Sequence, residues 1–298
     1  MYRLRQIGIA AVTNFQRWKQ EPKVYMSFGL GFVICFLLSN KVILFAETHQ
    51  TSLQMMEPFI WTFGDAKSIL VISLGLLLLF SDIPNLSNEV PLFLVRMDRR
   101  TWLLGQILYV ILATFIYVSF IFLSTMILAG HNSYPVDMWS PTAAILGYSS
   151  IGEKIAVPAF VKVLELSFPY EVTFHIFGLM LGYTLVLSAL ILVLNLYREN
   201  LGMIGGILYS GFGFLMNPEV IQGIFHLSPG REKWANILFG WISPLNHATY
   251  YMHNFGYDLL PRLWMSYLFF SVVTIGLAGL SMLRIRTYPF SFTGTQQR

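Results

Sequence analysis

The sequence predicts an all-α, polytopic membrane protein with six transmembrane helices. Its 298 residues are 55% hydrophobic and only 11% charged, and the mean hydropathy is +0.62. Soluble domains carry about 25% charged residues, so this chain has too few ions to cover a water-facing surface. Apolar stretches near the length needed to cross a bilayer recur along the chain. We therefore predict a single transmembrane domain over residues 1–298.

The elements follow one another in a simple order. Residues 1–22 combine basic and apolar residues, which is typical of an amphipathic helix lying on an anionic membrane face. Trp61, at the start of the second apolar stretch, is a residue type that anchors helices at the membrane interface. Glycines in the fifth stretch favour close helix packing. The six predicted spans are 24–46, 60–80, 102–129, 173–197, 201–216 and 263–283.

Three connections carry most of the remaining chain. The segment 84–100 is short, amphipathic and basic at its end, as a helix lying along the membrane would be. The segment 131–172 contains four prolines and is only moderately hydrophobic. The segment 217–261 is divided by prolines into helix-sized pieces, which predicts short re-entrant or outer helices before the last span.

Lysine and arginine residues are distributed unevenly between the two sets of connections. One set holds twelve: Arg3, Arg5, Arg17, Lys19, Lys23, Arg96, Arg99, Arg100, Arg198, Arg284, Arg286 and Arg298. The other set holds five: Lys154, Lys162, Arg231, Lys233 and Arg262. Because positive residues concentrate on the cytoplasmic side, we expect both termini inside the cell, which an even number of spans requires.

The sequence contains none of the short motifs that announce catalysis. It has no glycine-rich loop ending in Gly-Lys-Ser/Thr, no His-Glu-x-x-His pair and no Gly-x-Ser-x-Gly elbow. His247 and His253 are six residues apart, a spacing that does not place them on one helical face. Cys35 is the only cysteine and can form no internal disulfide. We expect no catalytic residue, no metal and no cofactor held by this chain.

Asp65, Lys67 and His175 are the polar candidates inside or at the mouth of predicted spans. A charged residue in a span is costly and is therefore a functional candidate by default. Asp65 and Lys67 lie near the outer end of the second span, where water or a partner could compensate them. We favour a structural role for them over a substrate or proton role, and we treat His175 in the same way.

The order of these parts resembles that of one known family. A basic N-terminal helix precedes the first span, and the connection between spans two and three ends in Arg-Met-Asp-Arg-Arg-Thr-Trp-Leu-Leu-Gly-Gln-Ile-Leu. A proline-containing segment with Ile-Ser-Pro-Leu-Asn-His precedes the last span. Together these features resemble the membrane subunit of ABC transporters of the ABC-2 (type V exporter) family. The resemblance covers nearly the whole chain in layout, through residue classes and no invariant signature.

The resemblance implies a role for each part. Residues 1–22 would be an elbow helix, and 217–261 would cap the exit. The region 84–100 would contain a coupling helix that docks on an ATP-binding subunit. Its docking residues would be Glu89, Arg96, Asp98, Arg99 and Arg100. The 131–172 connection is longer than a compact family member has, which leaves its topology open.

The resemblance also implies an assembly and a location. Two permease chains, identical or homologous, would join two ATPase chains that bind the ATP. The complex would lie in the inner (plasma) membrane of a bacterium, where the lipid bilayer is a partner. We expect no nucleic acid as a partner. The cargo would leave the cell, and the aromatic content of 16% suits an apolar or amphipathic molecule such as a peptide, a lipid or a hydrophobic drug.

Two other functions remain open at this point. A stand-alone secondary transporter or channel would need no ATPase but would need a buried titratable site. An intramembrane enzyme would depend on one or two polar residues, and the missing motifs place it last.

Overall fold

The structure is a computed structural model and is almost entirely helical. It describes residues 2–84, 90–149, 151–155, 157, 159–198, 200–216, 218–224, 226, 232–256 and 259–288. The helices are α1 (Tyr2–Arg17), α2 (Pro22–Thr48), α3 (Glu57–Phe63), α4 (Ala66–Leu79), α5 (Val90–Arg96), α6 (Arg99–Ala129), α7 (Pro141–Tyr148), α8 (Ile151–Lys154), α9 (Val161–Leu166), α10 (Pro169–Tyr197), α11 (Leu201–Leu215), α12 (Pro218–Ile224), α13 (Glu232–Ile242), α14 (Pro244–Ala248) and α15 (Leu263–Arg284). Two short parallel strands, β1 (Leu53–Gln54) and β2 (Ser133–Tyr134), pair beside the bundle.

Four helices are long and apolar enough to cross a membrane. They are α2, α6, α10 and α15, with 27, 31, 29 and 22 residues. They contain the predicted spans 24–46, 102–129, 173–197 and 263–283. The prediction of an all-α protein with several membrane-spanning helices is therefore confirmed in its coarse form.

The other two predicted spans have a different form. The stretch 60–80 is divided between α3 and α4, which meet at an angle of 89° and together could make one broken crossing. The stretch 201–216 corresponds to α11, whose fifteen residues extend about 22 Å. The hydrocarbon core of a bilayer is about 30 Å thick, so α11 alone is shorter than a full crossing.

The break between α3 and α4 has a local cause. Gly64 ends α3, and Asp65 adopts an extended backbone and begins α4 as its N-cap. The Asp65 Oδ2 atom accepts a hydrogen bond from the backbone N–H of Lys67 at 3.2 Å. Tyr251 packs into the corner, where its hydroxyl donates to the Ile60 carbonyl at 2.7 Å. A glycine followed by an N-capping aspartate ends one helix and begins the next within an apolar run.

Small residues bring α2, α4 and α6 together. The Ser27 hydroxyl on α2 donates to the Gly75 carbonyl on α4 at 2.7 Å. The Tyr117 hydroxyl on α6 donates to the Ile72 carbonyl at 3.2 Å. A Cβ at Gly75 would lie only 2.1 Å from this hydroxyl oxygen. Cys35 is fully buried at the contact of α2 with α6. Close backbone approach of this kind is how helices associate in a membrane, where lipid removes the hydrophobic drive between them.

The connections separate into two groups at opposite ends of the long helices. At one end, the Lys23 ammonium pairs with Asp82, and the Arg284 Nε donates to the Leu196 carbonyl at 3.2 Å. The sequence assigns these segments to one membrane side. At the other end, β1 pairs with β2, and the hydroxyls of Ser167 and Tyr250 lie 3.2 Å apart. The sequence assigns those segments to the opposite side.

The corner at Gly64 yields a stability prediction. A Cβ there would lie 2.3 Å from the Tyr251 ring, which is buried and hydrogen-bonded, so Gly64→Ala should destabilise the protein by about 1–3 kcal/mol. We expect a lower thermal unfolding midpoint in detergent. Gly29→Ala on α2 is the control, because a Cβ there meets nothing within 4 Å. Equal midpoints for the two variants would contradict the packing described.

Candidate functional site

The turn between α5 and α6 is a charged, exposed surface. Arg96, Asp98, Arg99 and Arg100 are all exposed, and Asp98 begins α6 with an extended backbone. Glu89, the remaining predicted docking residue, lies outside the described residues. Three arginines and one aspartate within five residues give this turn a net positive charge, which suits an acidic partner surface.

The helix α1 is bound tightly along the beginning of α6. The Asn14 side-chain amide donates to the Gln106 Oε1 atom at 2.9 Å, and both side chains are buried. The Trp18 indole N–H donates to the Tyr109 hydroxyl at 2.8 Å. Gly105 permits the close approach, because a Cβ there would lie 2.5 Å from the Ala10 Cβ. Helix α1 and the first turns of α6 therefore form one packed unit.

The charged turn is attached to this unit and to the C-terminal segment. The Gln6 side-chain amide on α1 donates to the Arg96 carbonyl at 2.8 Å. The Arg99 Nη1 atom donates to the carbonyls of Tyr288 at 3.2 Å and Arg286 at 3.4 Å. Arg99 is exposed but thus has a structural function in addition to its charge. The Arg96 and Arg100 side chains are exposed too.

Asp65 and Lys67 line a cavity between α2, α4 and the α7–α8 segment. Its volume is about 730 Å³, within the range of small-molecule sites. Lys41 of α2 lines the same cavity, a convergence that sequence reasoning missed. Its apolar lining is formed by Leu38, Val71, Leu146, Val157, Ala159 and Phe160. The described lining therefore combines two cations, one carboxylate and two serines with apolar side chains.

The third polar candidate, His175, is not among the residues that line this cavity. Its Nδ1 lies 3.1 Å from the Tyr267 hydroxyl, which is 3.2 Å from the His175 carbonyl oxygen. Its Nε2 lies 4.0 Å from a Glu171 carboxylate oxygen. The Tyr267 contacts join α10 to α15, whereas the Glu171 contact lies within α10.

His247 and His253 converge on one hydroxyl, although their spacing did not suggest it. The His247 Nδ1 and the His253 Nε2 each lie 2.8 Å from the Ser266 Oγ. The other ring nitrogens face backbone carbonyls, of Trp241 at 3.1 Å and of Thr249 at 3.0 Å. A turn between α14 and the segment at 250–252 brings the two rings together, so helical periodicity could not predict their meeting.

Glu57 is a buried carboxylate that sequence reasoning placed in a polar link. It is fully buried at the start of α3 and accepts hydrogen bonds from the Ser140 N–H at 2.7 Å and the Ser140 hydroxyl at 2.5 Å. The Gln54 N–H donates at 3.3 Å to the Glu57 Oε2 atom, which also accepts from the Ser140 hydroxyl. The carboxylate thereby joins the first connection to the beginning of α7.

Metal chemistry has no visible basis in the part of the chain that the structure describes. No three His, Cys, Asp or Glu side chains there are grouped in a way that could hold an ion.

Comparisons with known proteins add no relative to the sequence and the structure. No protein-family model, no curated protein and no solved structure matches the chain. The resemblance to ABC-2 permeases therefore rests on the order of parts along the chain, and the function drawn from it is a proposal.

The Asn14–Gln106 pair can be tested with a double-mutant cycle. Asn14→Leu alone leaves the Gln106 carbonyl oxygen buried without its donor, which should cost about 1–3 kcal/mol of stability. Asn14→Leu with Gln106→Leu should recover much of that loss, because both polar groups are removed. Thermal unfolding in detergent measures each step. Additive losses in the double variant would show that the two side chains do not interact.

The buried histidines predict acid sensitivity. Burial is the main cause that lowers the pKa of His253 from 6.5 to about 4, and the nearby His247 ring acts in the same direction. As the pH falls below 6.5, the unfolded chain therefore takes up the proton first. The free energy of unfolding should therefore be about 3 kcal/mol lower at pH 4 than above pH 6.5.

The corresponding variant is His253→Asn. Its amide can still donate to the Thr249 carbonyl but does not titrate, so the unfolding midpoint should depend less steeply on pH between 6.5 and 4. A pH profile as steep as that of the unmodified protein would show that His253 is not the responsible group.

Proposed function

We propose that the chain is the membrane-spanning permease subunit of an ATP-driven exporter of the ABC-2 type. The observation that carries the proposal is the exposed, basic α5–α6 turn, which is fixed by hydrogen bonds to α1 and to the C-terminal segment. An ATP-binding subunit that pressed on this turn would move a packed unit of the bundle. A loosely attached loop could not transmit such a force.

The proposed mechanism is mechanical. ATP closes the dimer of ATP-binding subunits, and the two coupling turns are pushed toward each other. Helix α6 has 31 residues and extends about 46 Å, so displacement at Arg99 reaches the opposite end of the bundle. The α1–α6 contacts keep the start of this helix rigid during the movement.

The proposed assembly assigns the chemistry to another protein. Two permease chains and two ATPase chains form the exporter, and the ATPase chains bind and hydrolyse ATP. This chain supplies the path for the cargo and no catalytic residue. It lies in the plasma membrane of a bacterium with both termini in the cytoplasm, and an apolar or amphipathic cargo fits the mixed lining of the cavity at Asp65 and Lys67.

A second candidate is a secondary transporter that works alone. The observation that favours it is Glu57, a fully buried carboxylate that a coupled ion could use. Its two hydrogen bonds from Ser140 are those of a structural clamp, which is why we rank this function second. Transport in liposomes driven by an ion gradient without an ATPase would establish the second function in place of the first.

The proposed function is tested by reversing charge at the turn. The chain is produced together with the ATP-binding protein encoded beside it, where that gene carries a phosphate-binding loop. Arg96→Glu with Arg100→Glu should reduce retention of the ATPase and ATP-dependent export at least tenfold, because two favourable charges become repulsive. Arg99 is left in place because it holds the C-terminal segment.

The matched control reverses two exposed charges at the opposite end of the bundle, with Lys233→Glu and Arg262→Glu. This control should retain the ATPase and the export activity. Unfolding midpoints are compared to establish that both double variants are folded. Full retention of the ATPase and of export by the Arg96/Arg100 variant would overturn the proposed coupling.

A further inference from the structure

The cavity between α2 and α4 has an excess of positive charge. Of the charged residues that the structure describes, Lys41, Lys67 and one carboxylate, Asp65, line it, which leaves one net positive charge among them. The Asp65 side chain already caps α4 through the Lys67 N–H. Among the described residues, neither lysine ammonium has a carboxylate within 4 Å. The positive charge is therefore available to a ligand.

Apart from Ser68 and Ser149, the remaining side chains of the cavity lining are apolar, and exposed leucines lie beside them. Leu38 and Val71 line the cavity on α2 and α4. Beside them on the same helices, Leu37 is 60% exposed and Leu74 is 45% exposed. Exposed leucines on membrane-crossing helices face acyl chains, so a molecule can enter the cavity from the lipid without leaving apolar contact.

We infer that this cavity binds one amphiphile with an anionic head group, such as a phosphate-headed lipid, with the head at Lys41 and Lys67 and the acyl chain along Leu38 and Val71.

The chemistry favours an amphiphile over a small soluble anion. Both lysines are exposed, and basic residues beside transmembrane helices attract anionic lipid head groups. A volume of about 730 Å³ exceeds what a lone phosphate fills, and much of the lining has no group to bind one. The head group occupies the polar end, and the apolar wall takes the first part of the chain.

Asp65 sets a limit on the head group. Its carboxylate lines the same cavity as the two ammonium groups, so a ligand with more negative charge meets repulsion as well as attraction. Removing that carboxylate should therefore tighten binding. A cationic amphiphile would show the reverse dependence, because it would lose the one acidic partner that the described residues offer.

This inference deepens the proposed function, since the bound amphiphile would be the class of cargo, and its role as cargo rests on that function. Binding itself requires no ATPase, so it is tested on the purified chain alone. A failure of binding then leaves ATPase retention unaffected, and a failure of ATPase retention leaves binding unaffected.

The experiment uses the full chain in detergent, with bound lipid counted by native mass spectrometry. The probes are phosphatidic acid and phosphatidylcholine with identical acyl chains, and inorganic phosphate alone. We expect phosphatidic acid to be retained at least tenfold more than phosphatidylcholine. Lys41→Gln with Lys67→Gln should abolish that preference, and Asp65→Asn should increase retention of phosphatidic acid.

The control removes two exposed lysines elsewhere, with Lys19→Gln and Lys233→Gln, and should leave the preference intact. Val71→Trp fills the apolar part and should reduce retention while both lysines remain. Equal retention of the two lipids, or an equal loss of the preference in the control, would overturn the inference. Displacement of bound phosphatidic acid by an equal concentration of inorganic phosphate would also overturn it, because the apolar lining would then add nothing to binding.

Discussion

A helix broken inside a lipid-facing bundle must satisfy its free backbone groups within the protein, and this constraint governs the region around Gly64. A buried backbone group that is left unsatisfied costs about 1–3 kcal/mol. The Ile60 carbonyl is served by the Gly64 N–H at 2.9 Å and by the Tyr251 hydroxyl at 2.7 Å. Asp65 serves the first turn of α4. The corner therefore draws in the segment at 250–252 and leaves the start of α4 facing the cavity.

The two ends of the bundle differ in what holds them together. At the end with α1, polar side chains fix the charged turn to the N-terminal helix and the C-terminal segment, as in the bonds of Gln6 and Arg99. At the other end, short helices and the β1–β2 pair cover the bundle, and a buried carboxylate, Glu57, joins two of the connections. Under the proposed function, the first end receives force from the ATP-binding subunit. The second is built as a cover, beside which the cavity opens.

Composition and periodicity predicted the helical membrane protein, because low charge and long apolar runs leave few alternatives. The four long helices were predicted because each apolar stretch is about as long as a bilayer crossing. The break at Gly64 did not, since apolar residues continue on both sides of it and only the Gly-Asp pair marks it. Lys41 was not among the candidates, because its proximity to Asp65 and Lys67 depends on how α2 packs against α4. His247 and His253 were kept apart by helical spacing, whereas a turn brings both to Ser266.

The position of Cys35 has a practical consequence. This thiol is the only one in the sequence and has no exposed surface, because it lies between α2 and α6. A membrane-impermeant maleimide should find no native target on the folded chain. A cysteine introduced at any exposed position thus becomes the sole reactive group, without first having to replace a residue of the core. The protein can therefore be labelled with a spin label or a fluorophore at one introduced cysteine while Cys35 stays in place.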